Sequence, residues 1–261
     1  MQAQQEKAMY EHRLLLYVDI LGWTTAIQEL GDDPRLLQAI ERIHVYAEAH
    51  NERHRQDVRD RAAATGDKLF PMFFEVQFGA FSDHFVYSVP VKFGPRIVSI
   101  ASALVTDLLR RGWLTRGAIV LGPLHHKDNV ILGPALLEAV ETEGRHSIYP
   151  RILISDAALR EFSEWENDSR CKTMIKDQFG RIVVNPFALS FLADDTPNGR
   201  KSLESFVKMK YGFPEIKLLL ASEIDRHTKA DRGRQAENWA YLQRFITERV
   251  FSEDPNLKQF W

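Results

Sequence analysis

A short apolar segment near the N-terminus constrains the fold more than any other part of the sequence. Residues 14–20 read LLLYVDI, and their length and their aromatic and β-branched members favour a buried strand over a helix. Asp19 is the only charge in this segment, and burying it costs on the order of several kcal/mol unless it is paired, hydrogen-bonded or bound to metal. Because Asp19 stands just before Gly22, where the strand must turn, it is either a reactive carboxylate or the cap of a following helix.

The patterns that follow predict an α+β domain. Helical spacing begins at Pro34, and two strands, 70–78 and 81–89, are separated by little more than Gly79-Ala80, which predicts a tight hairpin. Further predicted elements are a helix over 97–108 closed by Gly112, a strand over 114–121, a hairpin or loop over 124–131, a helix over 133–144, and a strand over 149–154 with Ser155 as the cap of the next helix. This order is close to a ferredoxin-like β-α-β-β-α-β layout, with a mixed or antiparallel sheet and helices on one side.

The C-terminal third has a different character. One more hairpin is predicted over 174–184, and two helical tracts follow over 201–210 and 214–251. We therefore divide the chain into a domain of residues 12–192 and a helical extension of residues 193–261 that packs on the core or on a dimer.

Composition excludes several classes of function. A formal net charge of −2, with lysine and arginine scattered along the chain, offers no basic face for non-specific nucleic-acid binding. Cys171 is the only cysteine, which excludes an internal disulfide and a thiolate cage for zinc. No segment approaches the roughly 20 apolar residues of a membrane-spanning helix. We expect a soluble, cytoplasmic protein without a membrane or nucleic-acid partner.

A second acidic residue, like Asp19, lies inside an apolar segment that is predicted to be a strand. Asp83 lies within FSDHFVY, just past the predicted hairpin turn, where it either binds a ligand or accepts backbone hydrogen bonds at the hairpin end. If the hairpin flanks the first strand, Asp19 and Asp83 reach one point at the edge of the sheet. Two carboxylates suit Mg²⁺ or Mn²⁺, and two such ions would activate a hydroxyl and neutralise a departing pyrophosphate. The neighbours His125 and His126 face opposite ways on a strand and are more typical of a polar loop.

Five segments in this order resemble the catalytic domains of class III adenylate and guanylate cyclases, and most closely the bacterial pyrimidine cyclases of Pycsar anti-phage systems. They are YVDILGW (17–23), FSDHFVY (81–87), RGAIVLGPL (116–124), GPALLEA (133–139) and YPRILIS (149–155). The resemblance covers about residues 12 to 160. It implies a cyclase-type catalytic domain over residues 12–192.

The resemblance also implies roles for individual residues. Asp19 and Asp83 would hold two Mn²⁺ or Mg²⁺ ions, with help from the Ile20 carbonyl. A transition-state cation would come from Arg116 or Arg145, although a strand-end salt bridge and a solvated loop charge are the plainer interpretations of these two. The nucleotide would contact Tyr17, Gly79 and the backbone amides of Leu21, Gly22 and Trp23. The sites would lie between the two subunits of a head-to-tail homodimer.

Two departures from the purine cyclases bear on the substrate. Gly79 replaces the lysine or glutamate that reads a purine, and Leu137 and Glu141 replace an asparagine and an arginine. The first departure argues against a purine substrate. The overall resemblance to the pyrimidine cyclases implies conversion of UTP to 3′,5′-cyclic UMP, with a separate effector that reads the product in anti-phage defence. The alternatives are a cytidylate cyclase, then a purine cyclase, then an inactive nucleotide-sensing domain. Aromatic residues that could stack on a pyrimidine, or simply form core, are Tyr46, Phe70, Phe73 and Phe74.

Overall fold

The computed structural model describes residues 9–34, 76–94, 96–127, 130–162, 173–187 and 212–261, together with residues 38, 41 and 60. Several predictions lie outside these residues. They are the helix after Pro34, the first part of the strand over 70–78, the helix over 201–210, Cys171, and the aromatic residues Tyr46, Phe70, Phe73 and Phe74.

Six helices and eight strands are named here in chain order. The strands are β1 (Glu11–Ile20), β2 (Gln77–Phe81), β3 (His84–Pro90), β4 (Thr115–Lys127), β5 (Val130–Leu132), β6 (Ile152–Ile154), β7 (Met174–Lys176) and β8 (Ile182–Val184). The helices are α1 (Trp23–Leu30), α2 (Arg96–Arg110), α3 (Pro134–His146), α4 (Asp156–Phe162), α5 (Phe213–Lys229) and α6 (Gly233–Arg244). A π-helical turn, Phe245–Val250, continues α6.

The strands form one mixed sheet, which confirms the α+β class. Their order is β2-β3-β1-β4-β6-β8-β7, and β5 pairs with the far end of β4. β1 lies antiparallel to both β3 and β4, whereas β4 and β6 are parallel. The apolar segment that the sequence singled out is therefore a central strand, hydrogen-bonded on both sides.

Both faces of the sheet carry helices. Leu14, Leu16 and Val18 of β1 pack in one cluster with residues of α1, α2 and α4. Leu15 and Tyr17 point the other way and pack with Ala135 and Ala139 of α3. The expectation of helices on one side holds for α1, α2 and α4 but not for α3, because residues 14–18 of β1 are apolar on both faces of the sheet and each face needs a cover.

The hairpin turn lies at Ser82-Asp83 rather than at Gly79-Ala80, so the predicted position was wrong. Ser82 has a φ of 53°, a left-handed conformation typical of turns. Gly79 lies inside β2, where an added Cβ would stand 2.6 Å from Ile131 Cδ1. The glycine therefore serves close packing within a strand, and Asp83 belongs to the turn itself.

The C-terminal helices form a hairpin that packs on the β6–β8 end of the sheet. Their apolar residues share one cluster with Leu153, Ile175 and Val183. The single tract predicted over 214–251 is broken at Asp231, which has a φ of 55°. None of the helices that the structure describes is long and apolar enough to cross a lipid bilayer.

Candidate metal centre

The C-terminal end of β1 positions Asp19 between two neighbouring strands. Asp19 lies opposite His84 of β3 on one side and opposite Arg116 of β4 on the other. Residues directly opposite each other on paired strands project to the same face, and here that is the face covered by α3. Asp19 is 7% exposed, so neighbouring groups must balance its charge.

Asp83 and His84 stand beside Asp19 at the turn of the β2–β3 hairpin. His84 Nε2 lies 3.7 Å from Asp19 Oδ1, and His84 Nδ1 lies 3.2 Å from Asp83 Oδ1. One candidate ligand atom from each residue falls within 4.8 Å of the other two. The imidazole also contacts the rings of Tyr17 and Phe81, with centroids 5.4 Å and 5.2 Å away. The structure thus brings the two aspartates together and adds a histidine that the sequence analysis did not select.

Arg116 is bound to two carboxylates. Its Nε donates to Asp19 Oδ2 over 2.9 Å and also forms an ion pair with Glu143 Oε1 of α3. Glu143 is 6% exposed, and the sequence analysis missed it. A signal existed, because Ala135, Ala139 and Glu143 are spaced by four residues and form the buried face of α3. In this structure Arg116 is the strand-end salt bridge that was its plainer interpretation.

Two buried carboxyl groups here, those of Asp19 and Glu143, are more basic than usual. Burial raises the pKa of Asp19, although Arg116 and His84 act in the opposite direction. Burial also raises the pKa of Glu143, and the nearby charge of Asp19 adds to that effect, whereas Arg116 opposes it. Burial and the carboxylates of Glu143, Asp19 and Asp83 raise the pKa of the Tyr17 phenol. The cluster therefore holds more negative charge than one guanidinium offsets and favours a further cation.

The donor atoms fit a divalent cation. Asp19 directs Oδ1 toward His84 while Arg116 holds Oδ2. The buried Nδ1 of His84 lies beside Asp83 Oδ1, and no hydrogen bond engages it among the residues that the structure describes. A set of carboxylate oxygens and one imidazole nitrogen suits Mn²⁺ better than Mg²⁺. Asp19, Asp83 and His84 would hold one ion, whereas a second ion on Asp19 Oδ2 would have to compete with Arg116.

The turn after β1 leads directly into α1. Gly22 caps this helix with a φ of 80°, a conformation that disfavours other residues, and its carbonyl accepts from the Ala26 amide. The amide of Ile20 donates to the Asp83 carbonyl, and that of Leu21 donates to the Leu114 carbonyl over 2.9 Å. The Leu21 amide is thus engaged within the fold, which corrects the predicted cradle. The first amides of α1, from Trp23 onward, have no acceptor within the helix.

The other predicted residues lie apart from the aspartate cluster or beneath it. Tyr17 is 4% exposed and lies beneath His84, and Gly79 is buried under Ile131. Arg145 is exposed and pairs with Glu141. His125 and His126 contact different partners, the Met9 carbonyl and Ser88 Oγ, as expected for neighbours on a strand.

No family model matches the sequence, and no curated protein matches it. Among solved structures, a bacterial light-regulated adenylyl cyclase is 13% identical, with 70% of this chain and 94% of that chain covered at a TM-score of 0.45. The guanylate cyclase domain of RhGC from Catenaria anguillulae, in complex with GTP, is 14% identical over 67% and 94% of the chains at 0.39. The adenylyl cyclase CyaB from P. aeruginosa is 16% identical over 67% and 92% at 0.40. Likenesses at this level do not establish an activity for this chain.

Proposed function

We propose that this protein is a metal-dependent nucleotide cyclase. The observation that carries the proposal is the convergence of Asp19, Asp83 and His84 within 4.8 Å at the end of a central strand. The N-terminus of α1 begins four residues after Asp19, at Trp23, and presents amides that have no acceptor within the helix, together with a positive dipole end. A cation site next to an anion site suits a nucleoside triphosphate with its divalent metal.

In the proposed reaction, the ribose 3′-oxygen bonds to the α-phosphorus while the bond from that phosphorus to the bridging oxygen breaks. The hydroxyl passes its proton to solvent water, and pyrophosphate leaves with the electron pair of the broken bond. Asp19, Asp83 and His84 would hold divalent metal, which would supply Lewis-acid charge to the attacking and leaving oxygens. Asp19 and Asp83 hold that charge in place with His84, and the α1 amides orient the phosphates. Arg116 keeps Asp19 in position and adds positive charge beside the reacting phosphate.

We further propose UTP as the substrate and 3′,5′-cyclic UMP as the product. Gly79 lacks the side chain with which the purine cyclases read their base, and the buried position of this glycine leaves little room for one. A cytidylate cyclase is the next alternative, followed by a purine cyclase. The proposal includes residues 12–192 as catalytic domain, a cytoplasmic homodimer, and a separate effector that reads the product in anti-phage defence.

One observation favours a second function. Arg116 occupies Asp19 Oδ2, so the fold already supplies a cation where a second metal ion would bind. A domain that senses a nucleotide without converting it would keep this arrangement. Binding without turnover would distinguish such a sensor from an enzyme.

The decisive experiment incubates the purified protein with each of the four ribonucleoside triphosphates and Mn²⁺, then separates the products by chromatography. We expect wild-type protein to form cyclic UMP. Asp19→Ala and Asp83→Ala should each lower the rate of product formation by about a hundredfold or more, because each removes a metal ligand and so disables metal-assisted displacement. Asp225→Ala is the matched control, because Asp225 lies exposed on α5 and pairs only with Lys229 in the described part of the chain. Formation of cyclic CMP or of a cyclic purine nucleotide would contradict UTP as the substrate. Nucleotide that is bound but not converted would favour the nucleotide-sensing domain over an enzyme.

A further inference from the structure

A large cavity opens beside the metal centre, between the core of the sheet and the C-terminal hairpin. Its volume is about 580 Å³, which is within the range of small-molecule sites. The turn after β1 contributes Leu21 and Gly22, and β4 contributes Arg116. Helices α5 and α6 form the opposite wall. The cavity thus joins the predicted catalytic domain to an extension for which sequence analysis proposed only packing.

The lining of this cavity is rich in arginine. It includes six arginines but only two glutamates, Glu29 and Glu223. Arg226 pairs with Glu223, and Arg232 pairs with Glu29 of α1. Arg234 is exposed on the first turn of α6, and no ion pair holds it among the described residues. Arg111 and Arg116 are held by carboxylates outside the lining, Asp107 and Asp19, which leaves the charge of Arg234 available to an anionic ligand.

A buried polar side chain in the same wall also points to a ligand. His227 is 6% exposed, and its Nδ1 has no hydrogen-bond partner within the described ranges. Its other nitrogen, Nε2, lies 3.1 Å from Arg226 and 3.5 Å from Glu223. A buried donor or acceptor left unsatisfied is costly. Asn238 of α6, also buried, adds a second polar side chain to the lining.

We propose that this cavity binds the polyphosphate group of a nucleoside triphosphate, with Arg234 and His227 of the C-terminal hairpin and Gly22 of the turn before α1 in its lining. The identity of the ligand as a nucleotide rests on the proposed function. The anion site itself rests on Arg234, on the unsatisfied imidazole of His227 and on the turn at Gly22 that begins α1. The C-terminal extension is then part of the substrate site rather than a structural appendage.

The test uses inorganic tripolyphosphate and the full chain in EDTA, with binding followed by isothermal titration calorimetry. Wild-type protein binds the anion, and Arg234→Gln weakens binding about tenfold because one charge-assisted contact is lost. Arg244→Gln is the matched control, since Arg244 is an exposed arginine at the other end of the same helix and does not line the cavity. His227→Gln weakens binding as well, and equal melting temperatures for wild type and Arg234→Gln exclude a change of fold.

Tripolyphosphate that does not bind, or that binds Arg234→Gln and Arg244→Gln with the affinity of wild type, overturns the inference. The outcome is separable from that of the cyclase assay. A chain that forms no cyclic nucleotide but binds tripolyphosphate through Arg234 retains the site and loses the enzymatic function. A chain that forms cyclic UMP with the same KM in wild type and Arg234→Gln retains the function and loses this site.

Discussion

One arginine in the metal centre is shared by two buried acids. Asp19 and Glu143 have side chains 9% and 8% exposed, and Arg116 lies between them with 23% of its side chain exposed. Removing one partner from such a cluster leaves uncompensated charge in a poorly solvated position. Arg116 therefore stabilises the metal-free fold, and its charge competes with a cation for Asp19.

Substitution of Arg116 by methionine tests this competition. In EDTA we expect Arg116→Met to lower the free energy of unfolding by about 2 kcal/mol or more, because both carboxylates lose their partner. Added Mn²⁺ is expected to stabilise this variant more than wild type, since Asp19 Oδ2 becomes available to the ion. Denaturant unfolding with and without Mn²⁺ measures both effects, with Arg244→Met as control. Equal stabilisation of wild type and variant would contradict the competition.

His84 offers a second test at the level of a single residue. We expect His84→Ala to weaken Mn²⁺ binding about tenfold or more, because the variant loses a candidate ligand and a contact that orients Asp83. His12→Ala is the control, since His12 is exposed at the other end of the sheet. Calorimetric titration of Mn²⁺ into each protein measures the change. Unchanged affinity would leave a ligand set of two aspartates alone.

The sequence predicted Asp19, Asp83 and Arg116 of this cluster and missed His84 and Glu143. Asp19 and Asp83 were detectable because each is an acid inside an apolar segment. His84 and Glu143 gave no such contrast, since a histidine after an aspartate and a glutamate on an amphipathic helix are ordinary. Their roles depend on strand register and helix rotation, which set Asp19 opposite His84 and direct Glu143 toward Arg116.

At the level of secondary structure, the contact between β1 and β4 depends on a glycine. A Cβ on Gly117 would lie 2.0 Å from the carbonyl oxygen of Tyr17, a backbone atom that cannot move without separating the strands. We expect Gly117→Ala to lower the free energy of unfolding by about 3 kcal/mol. Gly144→Ala is the matched control in exposed α3, where a Cβ meets nothing within 4 Å, and should raise stability by about 0.5–1 kcal/mol. Denaturant unfolding measures the free energy of unfolding of both variants. Equal losses of stability would contradict the close contact between Gly117 and the Tyr17 carbonyl oxygen.

The C-terminal hairpin carries a histidine that favours the neutral form. Burial lowers the pKa of His227, Arg226 and Arg232 act in the same direction, and Glu223 and Glu29 oppose them. Because the folded pKa lies below the unfolded value of about 6.5, the unfolded chain binds more protons as pH falls through that value. Stability contributed by neutral His227 is then lost progressively. Between pH 7.5 and 5.5 we expect the free energy of unfolding, measured with urea, to fall more in wild type than in His227→Gln. Equal decreases in the two proteins would contradict this prediction.

Element types were more predictable than element boundaries. β1, α2, α3 and the β7–β8 hairpin follow the apolar patterns because burial on one face or both decides them. The β2–β3 turn did not follow from its glycine, because Ser82 adopts the left-handed conformation and Gly79 is needed for packing. The break at Asp231 was missed for a similar reason, since a non-glycine residue makes the turn.

Two exposed apolar residues bear on the proposed homodimer at the scale of the whole molecule. Leu137 and Val140 are 73% and 43% exposed on the outer side of α3, the helix that also supplies Glu143. In the proposed dimer we expect this surface to be covered by the partner. Leu137→Glu should then shift the protein toward monomer in analytical ultracentrifugation and lower specific activity, as dilution of the wild type should.

Leu218→Glu is the control for that experiment, because Leu218 is 72% exposed on α5 and is an equally apolar surface residue. A wild-type protein that remains monomeric and active on dilution would contradict the shared-site dimer. So would dissociation caused by Leu218→Glu but not by Leu137→Glu.

The central place of β1 has a consequence for the motions of the metal centre. Asp19 belongs to a strand whose backbone is hydrogen-bonded on both sides, so its amides should exchange with deuterium only when the whole domain unfolds. Asp83 belongs to a hairpin turn near the sheet edge, where exchange proceeds through smaller openings. A cation that bridges Asp19 and Asp83 would slow amide exchange in the β2–β3 hairpin and leave exchange in β1 almost unchanged. Added protection of the hairpin amides alone would therefore indicate that the metal centre is occupied.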